Sequence, residues 1–265
     1  MRRNALARPA LFHIVSIGLL AEATPAMDGA NLAPLPIRAV SALRRRGLRY
    51  ACHKALRRGL ARWPDWKRRW VYADPRNYWT LRGGDDYFRE QEGQPSRGER
   101  ATWIASRIAS YQPLSILEVG CGYGKQLRAI RDLHDVPMTG VDFSPSQLEQ
   151  GRYYLAGLDR IDLILAPGDE LPFDDQSFDL VLTSAVILHN PPEVAEAIRR
   201  EVLRVSKRFV AHNEDTDLSY NRYGYDTAAW YRGQDLPLSE VGEIPVGSSG
   251  ERAASQFCVG GPWQV

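Results

Sequence analysis

The sequence predicts an α/β fold: a doubly wound, mostly parallel sheet with helices on both faces, preceded by a basic helical extension. Three observations carry this. From residue 101 onward, short apolar runs alternate with segments whose apolar residues recur at helical spacing. The first run leads into SILEVGCGYGKQL, Ser115 to Leu127, an acid followed by glycines at alternate positions. The second run ends in an acid, Asp142, and another, Asp169, follows the third, near the strand ends where such a sheet gathers its ligand.

The 265 residues are long enough for one large α/β domain or two small ones, and 44% hydrophobic with 25% charged is an ordinary globular composition. A net charge of +2 argues against the whole surface binding a polyanion. The charge is uneven. Residues 38–69 hold twelve Lys/Arg against the single acid Asp65, a surplus of 11, which leaves about −9 for the rest. Cys52, Cys121 and Cys258 are odd in number and match no zinc spacing, so reduced thiols and a cytoplasmic location are expected.

Arg2, Arg3 and Arg8 precede ALFHIVSIGLLAEA, which imitates a secretory signal. His13 and Ser16 interrupt the run, and it is too short to span a bilayer. Residues 1–36 are therefore expected to be a disordered leader and linker, with Met27 as an alternative start. From Ile37, Val40 and Leu43 to Leu48, Ala51, Ala55 and Leu60 the apolar spacing is helical and arginines fill the other face. Gly47 weakens the middle, so one or two basic helices are expected. Their simpler use is a solvated face packed on the main domain, their sharper use contact with an anionic membrane surface or an acidic partner, and no nucleic-acid motif accompanies them. Four of the seven tryptophans fall between Trp63 and Trp79. Within this aromatic stretch YWTLRGGDDYF, broken by Gly83 and Gly84, reads as a flap over a ligand. Residues 37–100 thus form a basic, aromatic extension, and 101–265 the main domain.

That domain reads as a helix over 101–110, a buried strand Ile116–Val119, and a helix over 125–133 with Leu127, Ile130 and Leu133 inward. A strand Met138–Asp142 follows. Ser146 and Glu149 form a capping-box pair for a helix with Leu148, Leu155 and Leu158 inward. Strands Ile161–Leu165 and Phe178–Thr183 come next. Asn190 is expected to cap a helix with Pro191 at its first position and Val194, Ile198, Val202 and Val205 along it. A fifth strand covers Arg208–His212. The tail offers a helix near Asp226–Arg232 and strands near 238–244 and 256–259.

The glycine turn narrows the ligand. Counted from Gly120, a dinucleotide fingerprint would place a glycine at position 125, which is Lys125; the spacing is G-x-G-x-G instead. Glu118 would repel a pyrophosphate and suits a cationic ligand. Asp142 stands where an acid accepts ribose hydroxyls, and Asp169 follows the third strand.

Taken in order, LEVGCGYG, GVDFSPSQLE, GDELPFDDQSFDLV and VILHNPP resemble the class I S-adenosylmethionine-dependent methyltransferases, over about Trp103 to His212. The resemblance implies a seven-stranded Rossmann-like sheet and S-adenosylmethionine as cofactor. It implies that Glu118, Gly120, Cys121, Gly122 and Gly124 surround the methionine part and that Asp142 holds the ribose. Phe143 would pack on the adenine, Asp169 beside Gly168 would bind its amine with Glu170 or Leu171 lining the ring, and Ser184 would face the reacting centre.

Methyl transfer from a sulfonium needs alignment, exclusion of water and, for a hydroxyl acceptor, a base. His212, His189 and Glu214 are the catalytic candidates. His212, Glu214 and Asp215 could also gather a metal, although a solvated acidic loop is the simpler account. SYNRYGYDTAAWYR, Ser219 to Arg232, suits a hydroxyl-rich or carboxylated acceptor. The expected activity is methylation of a small-molecule or glycan-like acceptor at oxygen. Transfer to nitrogen or carbon, or cofactor binding without catalysis, are the alternatives.

Overall fold

The computed structural model describes residues 35–245 and 255–263. The leader, the start at Met27 and most of the linker lie outside the described residues, as do the side chains of Ile37, Val40 and Leu43.

The extension is helical throughout. Helix α1, Leu35–Gly59, changes direction at Gly47, where φ is 79°. Helix α2 is Pro64–Val71, and α3 is Pro75–Arg82, started by the Asp74 side chain accepting the Asn77 amide. Helix α4 is Asp85–Glu92. Helix α5, Pro95–Ser110, begins six residues before the expected 101, because Pro95 suits the first turn.

Strands β1 (Ile116–Val119), β2 (Met138–Asp142), β3 (Ile161–Leu165), β4 (Phe178–Ser184) and β5 (Ser206–Asp215) are parallel. Helices α6 (Lys125–Arg131), α7 (Pro145–Tyr154) and α8 (Pro192–Val205) connect them, with a 3₁₀ turn at Ile187–His189. A small hairpin, β6 (Leu218–Ser219) and β7 (Arg222–Tyr223), precedes α9 (Thr227–Gly233). The tail supplies β8 (Leu238–Glu243) and β9 (Ser255–Gly260).

The sheet order is β3-β2-β1-β4-β5-β9-β8. Strand β9 pairs antiparallel with both β5 and β8, so it alone is reversed. Chain direction out of the sheet changes sides between β1 and β4, and the carboxyl ends of β1, β2 and β4 open onto that switch point. The four residues of β1 are buried. Ile116 joins the apolar layer of Ile104, Ile108, Leu127 and Leu148 on one face, and Leu117 joins Val181, Ile198 and Val202 on the other.

Three local readings are corrected. Helix α7 starts at Pro145 behind Ser144, so Ser146 sits inside the helix and forms no capping box with Glu149. Helix α8 starts at Pro192 behind Pro191, while the Asn190 amide closes the preceding turn by donating to Val186 O at 2.8 Å. In both places a proline takes the first helical position and fixes the start. Helix α6 ends at Arg131, which leaves Leu133 51% exposed instead of inward.

Candidate active site

Beyond β1 the chain makes a tight turn whose glycines are required by space as well as by backbone angle. Gly120 has φ +70°, and a Cβ there would lie 2.4 Å from Val186 Cγ2. Gly124 starts α6 with φ +84°, and a Cβ would lie 2.6 Å from Leu155 Cδ1. The turn is pinned to its neighbour: Cys121 N–H donates to Val141 O at 2.9 Å, and Gly122 N–H donates to Asp142 Oδ2 at 2.9 Å. The Ser144 amide donates to Asp142 Oδ1 at 2.8 Å.

A cavity of about 320 Å³ lies over this turn. Glu118, Gly120, Cys121, Gly122, Asp142, Phe143 and Ser184 line it together. Glu118 is buried, and its Oε2 has no hydrogen-bond partner among the described residues. Burial, and then the nearby Asp142 carboxylate, push the Glu118 carboxyl up to about 8. Burial pushes Asp142 up to about 6 against the two amides that favour its charge. Two buried carboxyls with this bias are a site for a cation.

Gly168, Asp169 and Glu170 do not line the cavity. Gly168 packs on the sheet, where a Cβ would lie 2.8 Å from Val119 Cγ1, and Glu170 is exposed. Asp169 is held by Arg76 of α3, whose Nη2 lies 2.5 and 2.6 Å from its two carboxylate oxygens.

The catalytic candidates separate. His212 is fully buried in β5, with Nδ1 2.8 Å from Thr183 Oγ1 and Nε2 2.9 Å from the Tyr231 hydroxyl. Burial lowers it to about 3, so it is a neutral core residue and does not reach the cavity mouth. Glu214 also points away from the cavity. It accepts from Thr183 Oγ1 at 2.8 Å and from the amides of Val186 and Leu188 at 3.1 Å. It thereby anchors the 187–189 turn. With both His212 nitrogens and both Glu214 oxygens engaged, these two do not converge with Asp215 as metal ligands.

His189 lines the cavity. Its Nδ1 lies 2.5 Å from the Asn221 carbonyl, which only accepts, so Nδ1 carries the proton and Nε2 the lone pair. Tyr72 O–H donates to His189 O at 2.5 Å, and the Trp79 ring packs edge-on at 4.6 Å. Burial holds the ring at about 4.

The extension supplies the opposite wall. Arg57, Tyr78, Trp79, Arg82 and Tyr87 line the cavity from α1, α3 and α4, with Arg97 and Arg100 from α5. Gly84 N–H, at the α3–α4 junction, donates to Gln147 Oε1 at 3.2 Å and seats that wall on α7. Of the Ser219–Arg232 segment, Tyr220, Asn221 and Arg222 reach the cavity. Sequence reading missed Arg97, Arg100 and Asn213, which lie in none of the quoted motifs, and Gln147, which lies inside GVDFSPSQLE without an assigned role there.

The seven-stranded sheet with its reversed β9 and the glycine turn beyond β1 have the Rossmann-like fold of methyltransferases. Residues 116–208 match the family described as Methyltransferase domain. A 27-O-demethylrifamycin SV methyltransferase of Amycolatopsis mediterranei is 34% identical over 119 residues, 42% of this chain and 43% of that protein. A sterol 4-C-methyltransferase of Caenorhabditis elegans is 27% identical over 134 residues, 49% of this chain and 39% of that protein. The chain spans less than half the length of these two relatives. A solved structure of magnesium protoporphyrin IX methyltransferase from Synechocystis PCC 6803 with bound SAH shares the fold. It has TM-score 0.55 and 14% identity, and the match covers 67% of this chain and 93% of that one.

S-adenosylmethionine is the cofactor that the match of residues 116–208 to the methyltransferase family implies. The residues present fit it: the unpartnered Glu118 oxygen offers an acceptor for a cationic amine, and the crowded Gly120 leaves no room for a side chain at the turn.

Proposed function

We propose that the protein transfers a methyl group from S-adenosylmethionine to an oxygen of a small-molecule or glycan-like acceptor. One observation supports this above the others: His189 stands on the cavity wall with Nδ1 anchored to Asn221 O, which leaves Nε2 as a fixed lone pair. In this reading Glu118 and Asp142 bind the cationic and ribose parts of the cofactor, which supplies an electrophilic methyl when bound. Ser184, held by Asn213 Nδ2 at 2.7 Å, faces the acceptor. The acceptor hydroxyl loses its proton to His189 Nε2 as the methyl arrives. The α3–α4 pair covers the site and excludes water, as the flap expectation has it. Calorimetry with S-adenosylmethionine and S-adenosylhomocysteine, then isotope-labelled methyl transfer to a panel of hydroxylated acceptors, tests the reading. Binding followed by an O-methyl product supports it. Label on nitrogen or carbon would replace the oxygen assignment, and binding without transfer to any acceptor would favour the non-catalytic alternative.

A second reading concerns the extension. Trp63, Trp66 and Trp70 are 55, 56 and 60% exposed at three- and four-residue spacing along α2, with exposed Arg62 and Arg69 beside them. Indoles and cations on one face suit the interface of an anionic membrane. We propose peripheral contact through residues 37–69. Sedimentation with anionic liposomes at low salt tests it, and no binding ends it. Among the described residues no helix is long and apolar enough to cross a membrane.

A further inference from the structure

The cavity wall facing the glycine turn is built from arginines. Arg57 of α1, Arg82 of α3, Arg97 and Arg100 of α5 and Arg222 of β7 all line it, against the carboxylates of Glu90 and Asp215. Those carboxylates are already engaged. Glu90 pairs with Arg82 at 2.5 Å. Asp215 is shared between Arg100 at 3.3 Å and Arg222 at 3.2 Å, and Arg222 also holds Asp217 at 2.8 Å.

Two guanidiniums are left over. Arg97 bonds only to Gln94 Oε1, at 3.2 Å, and Arg57 has no hydrogen bond or ion pair among the described residues. Both are half-buried. Their field is felt by the groups around them: Arg97 helps to lower His189 and Arg100, and Arg57 helps to lower His53 and Lys67. Withdrawing like charges from water without counter-charges is unfavourable, and a folded protein offsets it when a ligand brings the missing anion. A guanidinium fork matches the two oxygens of a carboxylate or phosphate.

We infer that the methyl acceptor is an anion, carrying a carboxylate or phosphate that Arg57 and Arg97 bind while its reacting group faces His189. This rests on the methyltransferase reading of the cavity. It makes the cavity bipolar, with Glu118 and Asp142 at the cofactor end and unpaired arginines at the acceptor end.

Protein saturated with S-adenosylhomocysteine is titrated with three probes of similar size: phenyl phosphate, benzoate and neutral benzyl alcohol. At least one anion binds more tightly than the alcohol, and which one separates phosphate from carboxylate. Arg57→Gln and Arg97→Gln each weaken that anion about tenfold, the effect of losing one charge-assisted hydrogen bond, and raised salt weakens it further. Both variants keep the parent's affinity for S-adenosylhomocysteine, which shows that they are folded. An alcohol that binds as well as the anions, no binding of any probe, or a double variant that keeps its anion affinity overturns the inference. Absence of S-adenosylhomocysteine binding to folded parent protein would instead overturn the methyltransferase reading beneath it.

Discussion

Asp142 Oδ2 accepts the Gly122 amide at 2.9 Å, so the tip of β2 holds the glycine turn that follows β1. One carboxylate therefore shapes the turn and offers its remaining lone pairs to the cavity. Asp142→Ala removes both. Losing charge-assisted hydrogen bonds to the ribose costs about 1.5–3 kcal/mol, so affinity for S-adenosylmethionine falls by at least about tenfold in calorimetry. Unchanged affinity would separate Asp142 from the cofactor.

Glu118 gives a prediction with two readouts of opposite sign. Its folded-state pKa, about 8, lies above the ordinary value of 4.5. The native state then binds the extra proton between those values, and stability contributed by this group is lost as pH rises through that window. Glu118→Gln keeps the neutral shape. At pH 8 the ligand-free variant melts higher than the parent, by about 2–4 °C for each kcal/mol gained. Its affinity for S-adenosylmethionine is lower, because the carboxylate is gone. A variant that loses stability at pH 8 as well would contradict the burial argument.

Arg76 and Asp169 form a contact that no local pattern announces, since 93 positions separate them. An acid after the third strand is expected to take the adenine amine, yet Asp169 grips a guanidinium from the extension. Arg76 is 53% exposed on its side chain, so the pair is worth about 0–1 kcal/mol. If cofactor binding must free Asp169, Arg76→Ala tightens S-adenosylmethionine by up to about fivefold, and Asp169→Ala does not. Equal effects of both variants would remove Asp169 from adenine recognition.

The parallel part of the sheet was legible because its strands are short, mostly apolar segments between helical patterns, and its ligand residues sit near the strand ends. Glu118 and Asp142 are placed by that rule alone. Helix starts were less legible where prolines compete for the first position, as at Pro145 and at Pro191–Pro192. The wall opposite the glycine turn was legible only in part: the Ser219–Arg232 segment supplies Tyr220, Asn221 and Arg222. Arg57 and Arg97 come from helices far apart in the chain, and each alone resembles a solvated surface residue. His212 misled because it stands near a strand end, as a site residue would. Pairing of β5 continues past His212, to Asn213 against β4 and to Asp215 against β9, which carries His212 into the core.

His212 and Glu214 are thus predicted to act on stability. His212→Ala leaves Thr183 Oγ1 and the Tyr231 hydroxyl without this partner and opens a void, a loss of about 2–5 kcal/mol seen in urea or thermal unfolding. Folded variant protein keeps the parent's affinity for S-adenosylhomocysteine. A stable His212→Ala protein with no turnover would return His212 to the catalytic set.

His189 carries the opposite expectation. Its ring is held at about 4, first by burial and then by the positive field of Arg222 and Arg97, against the Asn221 carbonyl and Asp215, which favour the charge. A base must be neutral to accept a proton, and a group with a lowered pKa is neutral above that value. Turnover is therefore flat in His189 ionisation from about pH 5.5 upward, with the acid limb near 4 instead of near 6.5. Once an acceptor is in hand, His189→Ala lowers kcat by roughly 10²–10⁴-fold, the usual worth of a positioned base, with a smaller change in KM. A variant altered in KM alone would leave His189 a wall of the pocket. An acid limb near 6.5 in the parent, abolished by the substitution, would show that the ring titrates in the working complex and that cofactor or acceptor has changed the charges around it.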